Sequence, residues 1–203
     1  MRIGIDFDNT LADYTGVFHS VALALGWIDH SVGMSKNAVK QYFFKRQQER
    51  VWTELQGIVY GREIHRARLY AGASETIRHW LHQGHEVFVV SHKTQFPVIG
   101  ERLDLHACAL QWLSTHNLVG DLEGQIEVGK VFFQETREQK IGMIKELGVE
   151  VFIDDLPEVF SEVSFPPQTK QILFDPDSHH MGCGQVDEVV TGWDQVADVV
   201  AAL

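Results

Sequence analysis

Residues 2–10 of this 203-residue chain read RIGIDFDNT. The apolar, β-branched run at the start of this stretch predicts a buried strand. Two aspartates, Asp6 and Asp8, follow the run directly, with a single phenylalanine between them. Such a pair is typical either of a polar turn with a helix cap or of a reactive site at the end of a strand, so the rest of the chain has to distinguish the two.

Strand and helix patterns alternate after residue 72. Apolar strands are predicted at HEVFVVS, KVFFQ, VEVFIDD and KQILFDP. Helices are predicted at 74–84, with Ser74 able to cap, at 101–116, at 136–148, where Thr136 and Gln139 form a capping-box pattern, and at 193–203. This alternation predicts an α/β fold, a Rossmann-like parallel sheet between two layers of helices.

Residues 12–72 lack a convincing strand, which predicts a small helical cap inserted after the first strand. Helices are expected over 14–25, over 38–56 and over part of 62–70. The predicted domains are therefore a core of residues 1–11 and 73–203 and a cap of residues 12–72. Residues 12–75 carry eight Lys and Arg against six acids although the chain has a formal charge of −11. This asymmetry fits two units with different roles.

Composition restricts the class of protein. The charge of −11 argues against a general nucleic-acid binder, because phosphate backbones require a basic surface. There is no apolar run long enough to span a bilayer, and Arg2 and the two early aspartates argue against a secretory signal. Cys108 and Cys183 lie far apart in the chain. We therefore expect a cytoplasmic, reduced protein without membrane partners, as a monomer or homodimer.

Reactive side chains follow three of the predicted strands. Asp6 and Asp8 follow the first strand, Ser91 ends the second, and Asp154 and Asp155 end the fourth. Ligands of open parallel sheets bind at the carboxyl ends of the strands, so these groups are expected to converge. Carboxylates gathered in this way are suited to a hard cation such as Mg²⁺.

Lys140 is predicted to be the cation of this site. It lies near the start of the helix that precedes the fourth strand. Lys145 is five residues further on, about 140° around the helix, and Lys130 precedes a strand at the opposite end of the sheet. His92 and Lys93 follow Ser91 and lie either near a leaving group or in a solvated loop. The segment HHMGC is more typical of a polar loop than of soft metal ligands.

DFDNT, VVSHKT, Lys140 and FIDDLPE together resemble the four ordered motifs of the haloacid dehalogenase (HAD) superfamily, most of whose members are phosphatases. The first motif is fairly specific and the serine and the lysine are weak alone, but all four in order at suitable element ends form a strong signal. The resemblance covers residues 1–10 and 73–203, with 12–72 in the position of a helical cap of the C1 type. DFDNTLADY with IDDLPE is most similar to the 5'(3')-deoxyribonucleotidase branch, although SHKT differs from the second motif of that branch.

The resemblance implies a Mg²⁺-dependent phosphatase acting on a small phosphorylated metabolite. Asp6 would be the nucleophile and form an aspartyl-phosphate, and Asp8 would be the general acid and then the general base. The phosphate would be held by Thr10, Ser91, His92 and Lys140. The Mg²⁺ ligands would be Asp6, the Asp8 backbone carbonyl and an acid of the fourth motif.

The fourth motif departs from the family pattern, in which Gly-Asp is commoner than Asp-Asp. Aligned on the strand, Asp155 matches the usual metal ligand, with Asp154 behind it and Glu158 as an outer partner. The alternatives are a phosphomutase or phosphonate hydrolase of the same fold and a non-catalytic phosphate-binding module. The intact DxD pair disfavours the last, because a pure binder has no use for an acid directed at a leaving group.

Overall fold

The computed structural model describes residues 1–180 and 186–203. Cys183 lies outside these residues, and HHMGC is described only at His179 and His180, whose backbone N–H groups donate to the Asp175 carboxylate at 2.9 and 2.7 Å. No helix in the described part has the length and apolar character needed to cross a membrane.

The chain forms two compact units. The core unit contains Met1–Ala12, Leu69–Lys93 and Leu113–Leu203, and the helical unit contains Asp13–Arg68 and Thr94–Trp112. The strands are β1 (Arg2–Ile5), β2 (Ala12–Asp13), β3 (Arg68–Leu69), β4 (Glu86–His92), β5 (Val131–Gln134), β6 (Val151–Asp154), β7 (Lys170–Phe174) and β8 (Glu188–Val190). The α-helices are α1 (Val17–Ala24), α2 (Lys36–Phe44), α3 (Glu49–Tyr60), α4 (Ala73–His82), α5 (Leu105–Thr115), α6 (Arg137–Glu146), α7 (Pro157–Phe160) and α8 (Trp193–Ala201).

Six strands of the core unit form one parallel sheet in the order β5-β4-β1-β6-β7-β8, which confirms the predicted α/β, Rossmann-like fold. β1 is central, with Ile5 paired with Val89 of β4 and with Ile153 of β6. The strands are near-continuously apolar because helices cover the sheet. The carboxyl ends of β4, β1 and β6 therefore lie side by side.

The apolar side chains of the sheet pack against the helices of the core unit. One cluster unites the sheet with α6 and α7, and its buried members are Phe88, Val90, Ile141, Ile144, Val149, Phe152, Val159, Phe160, Phe165 and Leu173. Gly4 makes room for this cluster, since a Cβ atom there would lie 2.6 Å from Cδ2 of Phe152. Elsewhere Trp193 of α8 packs against Trp80 of α4 and Phe174 of β7, at ring-centroid distances of 6.1 Å.

The helical unit has an aromatic core of its own. The ring of Phe18 stacks on Trp52 with centroids 5.2 Å apart, and Tyr60 packs edge-on against Phe18 and Tyr14. Trp112 of α5 donates its indole N–H to the carbonyl of Ala67 at 3.1 Å. The unit includes Thr94–Trp112 as well as Asp13–Arg68, whereas the predicted cap of 12–72 contains only the earlier stretch.

Several predicted elements differ from those observed. The helix expected over 38–56 is two helices, α2 and α3, separated where Gln47 adopts a left-handed conformation (φ 55°). The helix expected within 62–70 is a 3₁₀ turn at Ile64–Arg66 followed by β3, and the two-residue strands β2 and β3 were not predicted at all. α4 begins at Ala73 after Gly72, so Ser74 does not cap it. The capping box of Thr136 and Gln139 is present.

Candidate active site

Asp6 lies at the end of β1, where the sheet order brings three strand ends together. Its backbone N–H donates to the Ile153 carbonyl of β6 at 2.9 Å, which extends the β1–β6 pairing by one residue. The residue is buried, with 4% of its surface exposed. Its position therefore follows from the pairing of the sheet and not from a flexible loop.

The chain turns sharply after Asp8. Asn9 adopts a left-handed conformation (φ 59°), and the N–H groups of Leu11 and Ala12 both donate to the Phe7 carbonyl at 3.0 Å. Phe7 is fully buried, while the side chain of Asp8 is partly exposed. The two aspartates thus precede a tight, internally bonded turn, which holds them in place.

Thr10 belongs to the same turn and is fully buried. Its carbonyl accepts a hydrogen bond from the indole N–H of Trp193 at 3.1 Å, so α8 is tied to this loop. The Thr10 hydroxyl is buried and finds no hydrogen-bond partner among the described residues. Its predicted contact with phosphate stays a prediction.

Lys140 joins the first and fourth motifs. The residue lies in α6, with its N–H bonded to the carbonyl of the cap residue Thr136. Its ammonium donates to Oδ1 of Asp6 at 2.5 Å and to Oδ2 of Asp154 at 2.6 Å. The Lys140 side chain is 2% exposed, so all three charges lie in the interior. Lys140 therefore fixes the positions of both carboxylates.

Three carboxylates form one cluster, since single oxygen atoms of Asp6, Asp154 and Asp155 lie within 4.8 Å of one another. Adjacent residues of a strand point to opposite faces of the sheet. Because β6 ends at Asp154, this rule does not apply to Asp155, and both side chains belong to the cluster. The Asp154 oxygens accept from Lys140 and from the N–H of Leu156 at 3.0 Å. Asp155 is less buried than the other two acids.

The donor set of this cluster fits a hard divalent cation. All three side chains offer carboxylate oxygens, which are the ligands that Mg²⁺ and Ca²⁺ prefer. The Lys140 ammonium pairs with two of these carboxylates, those of Asp6 and Asp154. Buried charges of one sign are costly unless they are offset. A bound divalent cation would balance the remaining negative charge.

The pKa values of the buried pair reflect this crowding. Burial raises the pKa of Asp6 to about 7, with a further contribution from the Asp154 charge, and the Lys140 ammonium opposes the rise. Burial alone would lower the pKa of Lys140, but the carboxylates of Asp154 and Asp6 outweigh it and raise that pKa above its usual value. Lys140 is therefore held in its charged form, whereas the negative charge of Asp6 needs additional compensation.

The second motif lies at the end of β4, beside β1. Ser91 is buried in the strand, in register with Phe133 of β5. His92 is exposed, and its Nε2 lies 3.1 Å from the carbonyl oxygen of Glu135. Burial lowers the pKa of this imidazole. Consecutive strand residues face opposite sides, so Ser91 and His92 do not share a direction, and their roles toward phosphate stay predictions.

Lys93 makes a contact that the sequence did not predict. Its ammonium donates to Oδ2 of Asp8 at 2.8 Å and lies 3.2 Å from Oδ1. The solvated loop that was one alternative for this residue is wrong, because its side chain is 3% exposed. The adjacency of β4 and β1 explains the pairing, and SHKT alone does not reveal it. Glu158, expected as an outer partner of the metal, is exposed at the start of α7.

Comparison with known proteins adds a fold relationship. No family profile and no curated protein matches the sequence. Among solved structures, a HAD family hydrolase from Deinococcus radiodurans, crystallised with phosphate and sodium, superposes with a TM-score of 0.62 at 14% identity, over 99% of this chain and 95% of that chain.

Two further solved structures show the same likeness of fold. YfnB from Bacillus subtilis, assigned as a HAD hydrolase and crystallised with magnesium, gives a TM-score of 0.60 at 12% identity, over 98% of both chains. A phosphoserine phosphohydrolase-like protein from Francisella tularensis gives 0.59 at 13% identity, over 98% of this chain and 99% of that chain. Likeness at these identities establishes the fold, and the chain folds as the HAD-type hydrolases do.

Proposed function

We propose that this protein is a Mg²⁺-dependent phosphatase that hydrolyses a small phosphomonoester through an aspartyl-phosphate. The observation that carries the proposal is a charge cluster in which the half-buried Asp155 joins the buried Asp6 and Asp154 at adjoining strand ends, with Lys140 of α6 between the last two. A fold shared with HAD hydrolases supports it. Neither a turn nor a helix cap requires three buried charges, those of Asp6, Lys140 and Asp154, from separate parts of the chain.

Asp6 is the nucleophile of the proposed reaction. A carboxylate oxygen of Asp6 attacks phosphorus, the bond from phosphorus to the ester oxygen breaks, and an acyl phosphate forms on Asp6. Lys140 holds the Asp6 carboxylate through Oδ1 and limits its rotation. This preorganisation matters because a carboxylate and a phosphate dianion repel each other as they approach.

Asp8 transfers the protons of both half-reactions. In the first, it gives a proton to the departing alkoxide, so that a neutral alcohol leaves. In the second, its carboxylate takes a proton from the water that attacks the acyl phosphate, and inorganic phosphate is released. The partial exposure of Asp8, 19% of its side chain, suits a group that must meet both leaving group and water.

The metal would be held by the carboxylates of Asp6 and Asp155 and by the backbone carbonyl of Asp8. Asp155 is favoured because it aligns with the usual metal ligand of the fourth motif, and the oxygens of Asp154 accept hydrogen bonds from Lys140 and Leu156. When bound, Mg²⁺ offsets the charge that gathers on the phosphoryl oxygens. Asp154 then acts through Lys140, as a support for the nucleophile.

The substrate is a small phosphorylated metabolite in this proposal, and nucleotides are candidates because of the resemblance to the 5'(3')-deoxyribonucleotidase branch. The helical unit, as a cap of the C1 type, would supply specificity and exclude water. Its basic residues are suited to a second anionic group of the substrate. Such a metabolic role is consistent with a cytoplasmic protein.

Phosphate release from a panel of nucleotides, sugar phosphates and other monoesters tests the function. The wild-type protein is expected to release inorganic phosphate from at least one ester with Mg²⁺ and none after chelation. Asp6→Asn should reduce the rate by at least about 10³-fold, because the uncharged amide cannot form the acyl phosphate. Rates with and without EDTA, measured by phosphate detection, provide the comparison.

Asp198→Asn, an exposed acid of α8, is the matched control and should keep the wild-type rate. Full activity of Asp6→Asn would reject the nucleophile. A wild-type protein that transfers phosphate between esters and releases little free phosphate would instead be a phosphomutase.

A further inference from the structure

Lys93 is a buried cation that the proposed reaction does not yet use. Its backbone N–H donates to the Gln134 carbonyl at 2.8 Å, which continues the β4–β5 pairing past the last residue of β4. Its ammonium reaches Asp8 and lies 5.3 Å from the centroid of the Phe7 ring. The main chain of Lys93 is thus anchored to β5, and its side chain is fixed at the turn after β1.

Three observations distinguish this contact from an ordinary surface ion pair. Lys93 is 3% exposed, and Asp8 is 19% exposed. Phe7, whose ring lies near the ammonium, is fully buried and packs edge-on against Phe133 at 6.1 Å. An exposed pair between flexible side chains contributes little, but here a desolvated cation with an aromatic neighbour is held by the sheet.

We propose that Lys93 is the positioning residue of the general acid, holding the carboxyl group of Asp8 in one orientation toward the leaving group. This inference rests on the proposed phosphatase reaction. An ammonium can only donate hydrogen bonds, and that of Lys93 donates to Oδ2 of Asp8 at 2.8 Å and to Oδ1 at 3.2 Å. The shorter bond disfavours a proton on Oδ2, so the transferable proton belongs on Oδ1. Lys93 thereby orients the carboxyl group with Oδ1 directed to the ester.

The role of Lys93 predicts a dependence on the leaving group. Phenyl phosphate and p-nitrophenyl phosphate are nearly the same shape, but phenoxide is a strong base with a conjugate acid pKa of about 10, like that of tyrosine. Nitrophenoxide is a far weaker base and leaves without a proton. A misplaced general acid therefore slows release of phenol and hardly affects release of nitrophenol.

Lys93→Met is the test variant, because it keeps the length of the side chain and removes the donor. Asp8 remains reachable by water, so the substitution does not bury an unpaired charge. With Mg²⁺, kcat/KM for phenyl phosphate, which reports the first half-reaction alone, is expected to fall about 10- to 100-fold, and kcat/KM for p-nitrophenyl phosphate less than about threefold. A loss of Asp8 as general base in the second half-reaction lowers kcat for both esters alike and leaves kcat/KM unchanged. Lys93→Arg, which retains a donor, should recover part of the phenyl phosphate rate.

Lys130→Met is the matched control. Lys130 also pairs with acids, Glu127 at 3.4 Å and Glu86 at 3.8 Å, and lies 5.9 Å from the Phe88 ring, but it precedes β5 at the other end of the sheet. Its kcat for both esters should match that of the wild type.

Each other outcome is decisive. An equal loss of kcat/KM on both esters, or no loss on either, would overturn the positioning role of Lys93 while the phosphatase function stands. A rise in KM for both esters would make Lys93 a phosphate-binding residue instead. A wild-type protein that hydrolyses neither these esters nor any member of the metabolite panel would reject the proposed function, and this inference with it.

Discussion

Lys140 carries one positive charge between two buried carboxylates, and this single side chain determines how the site is held together. The Lys140 ammonium lies 2.5 Å from an oxygen of Asp6 and 2.6 Å from an oxygen of Asp154. Among the described residues, no other cation lies within hydrogen-bond distance of either acid. Removing one partner of a buried ion pair costs more than the pair itself contributes, because the remaining charges stay desolvated.

Lys140→Met is therefore expected to lower the free energy of unfolding of the metal-free protein by about 3–5 kcal/mol at neutral pH. Urea unfolding followed by circular dichroism measures the change. Lys145→Met is the matched control, since Lys145 is an exposed residue of the same helix, and its effect should stay within about 0.5 kcal/mol. Equal effects of the two substitutions would show that Lys140 carries no special share of the stability.

Individual site residues were predictable where the motif and the element end coincided. The sequence predicts that three charged residues converge, because Asp6 and Asp155 each follow a recognisable strand and Lys140 lies near the start of a recognisable helix. The partner of Lys93 was not predictable, because it depends on the side-by-side position of β4 and β1, which are separated in the chain by residues 6–85. For Asp154 the sequence predicts only a position behind the metal ligand. Its ion pair with Lys140 could not be predicted, because it depends on how α6 packs beside β6.

Among the elements, β1 shows how closely the strands bearing the site are packed. Its only glycine, Gly4, faces Phe152 of β6, and a Cβ atom at Gly4 would lie 2.6 Å from the ring and 3.1 Å from Val149 Cγ1. Phe152 is fully buried in the cluster beneath α6, so its ring has no open space to move into. The absence of a side chain at Gly4 thus lets β1 and β6 adjoin.

Gly4→Ala should destabilise the fold by about 1–3 kcal/mol through overpacking. Gly142→Ala makes the same chemical change in α6, where a Cβ atom would meet nothing within 4 Å. It is expected to stabilise the protein by up to about 1 kcal/mol, because alanine is the better helix former. Thermal unfolding of both variants compares them directly, and a Gly4→Ala protein as stable as the wild type would contradict the packing argument.

Elements with a regular apolar period were predicted well, and short or interrupted ones were not. The capping box of Thr136 and Gln139 marked the start of α6 correctly. Between α2 and α3 the polar residues KRQQ carry no strong breaker, so the left-handed turn at Gln47 leaves no clear signal. β8 and α7 contain three and four residues, too few to show a period.

For the whole molecule, a bound cation is expected to act as a stabilising ligand. A ligand that binds only the folded state at 100 times its Kd adds about 2.7 kcal/mol. Saturating Mg²⁺ should therefore raise the Tm of the wild type by roughly 5–10 °C relative to EDTA, at about 2–4 °C per kcal/mol. Differential scanning calorimetry gives both values.

Asp155→Asn should lose most of this shift, and Asp198→Asn, far from the cluster in sequence and exposed on α8, should keep it. An unchanged shift in Asp155→Asn would remove that residue from the proposed ligands. A wild-type Tm that does not respond to Mg²⁺, Mn²⁺ or Ca²⁺ would reject the metal site.

The fold class was accessible from sequence because alternation of strands and helices is a global pattern, repeated many times along the chain. The division into units was less accessible. Thr94–Trp112 belongs to the helical unit although it follows β4, and its pattern of apolar residues resembles that of any helix covering a sheet. Membership of a unit depends on contacts that form in three dimensions, such as that of Trp112 with Ala67.

The central position of β1 has a consequence for biosynthesis. Lys140 follows Asp6 by 134 residues, and β6 comes later still. At roughly 5–20 residues per second, a ribosome needs on the order of ten seconds between the two. During that time β4 is the only one of the two sheet neighbours of β1 that has been synthesised, and the edge of β1 that pairs with β6 stays unpaired. In the nascent chain, Asp6 therefore lies beside an incomplete sheet, and its cluster with Lys140 and Asp154 can form only after β6 has been synthesised.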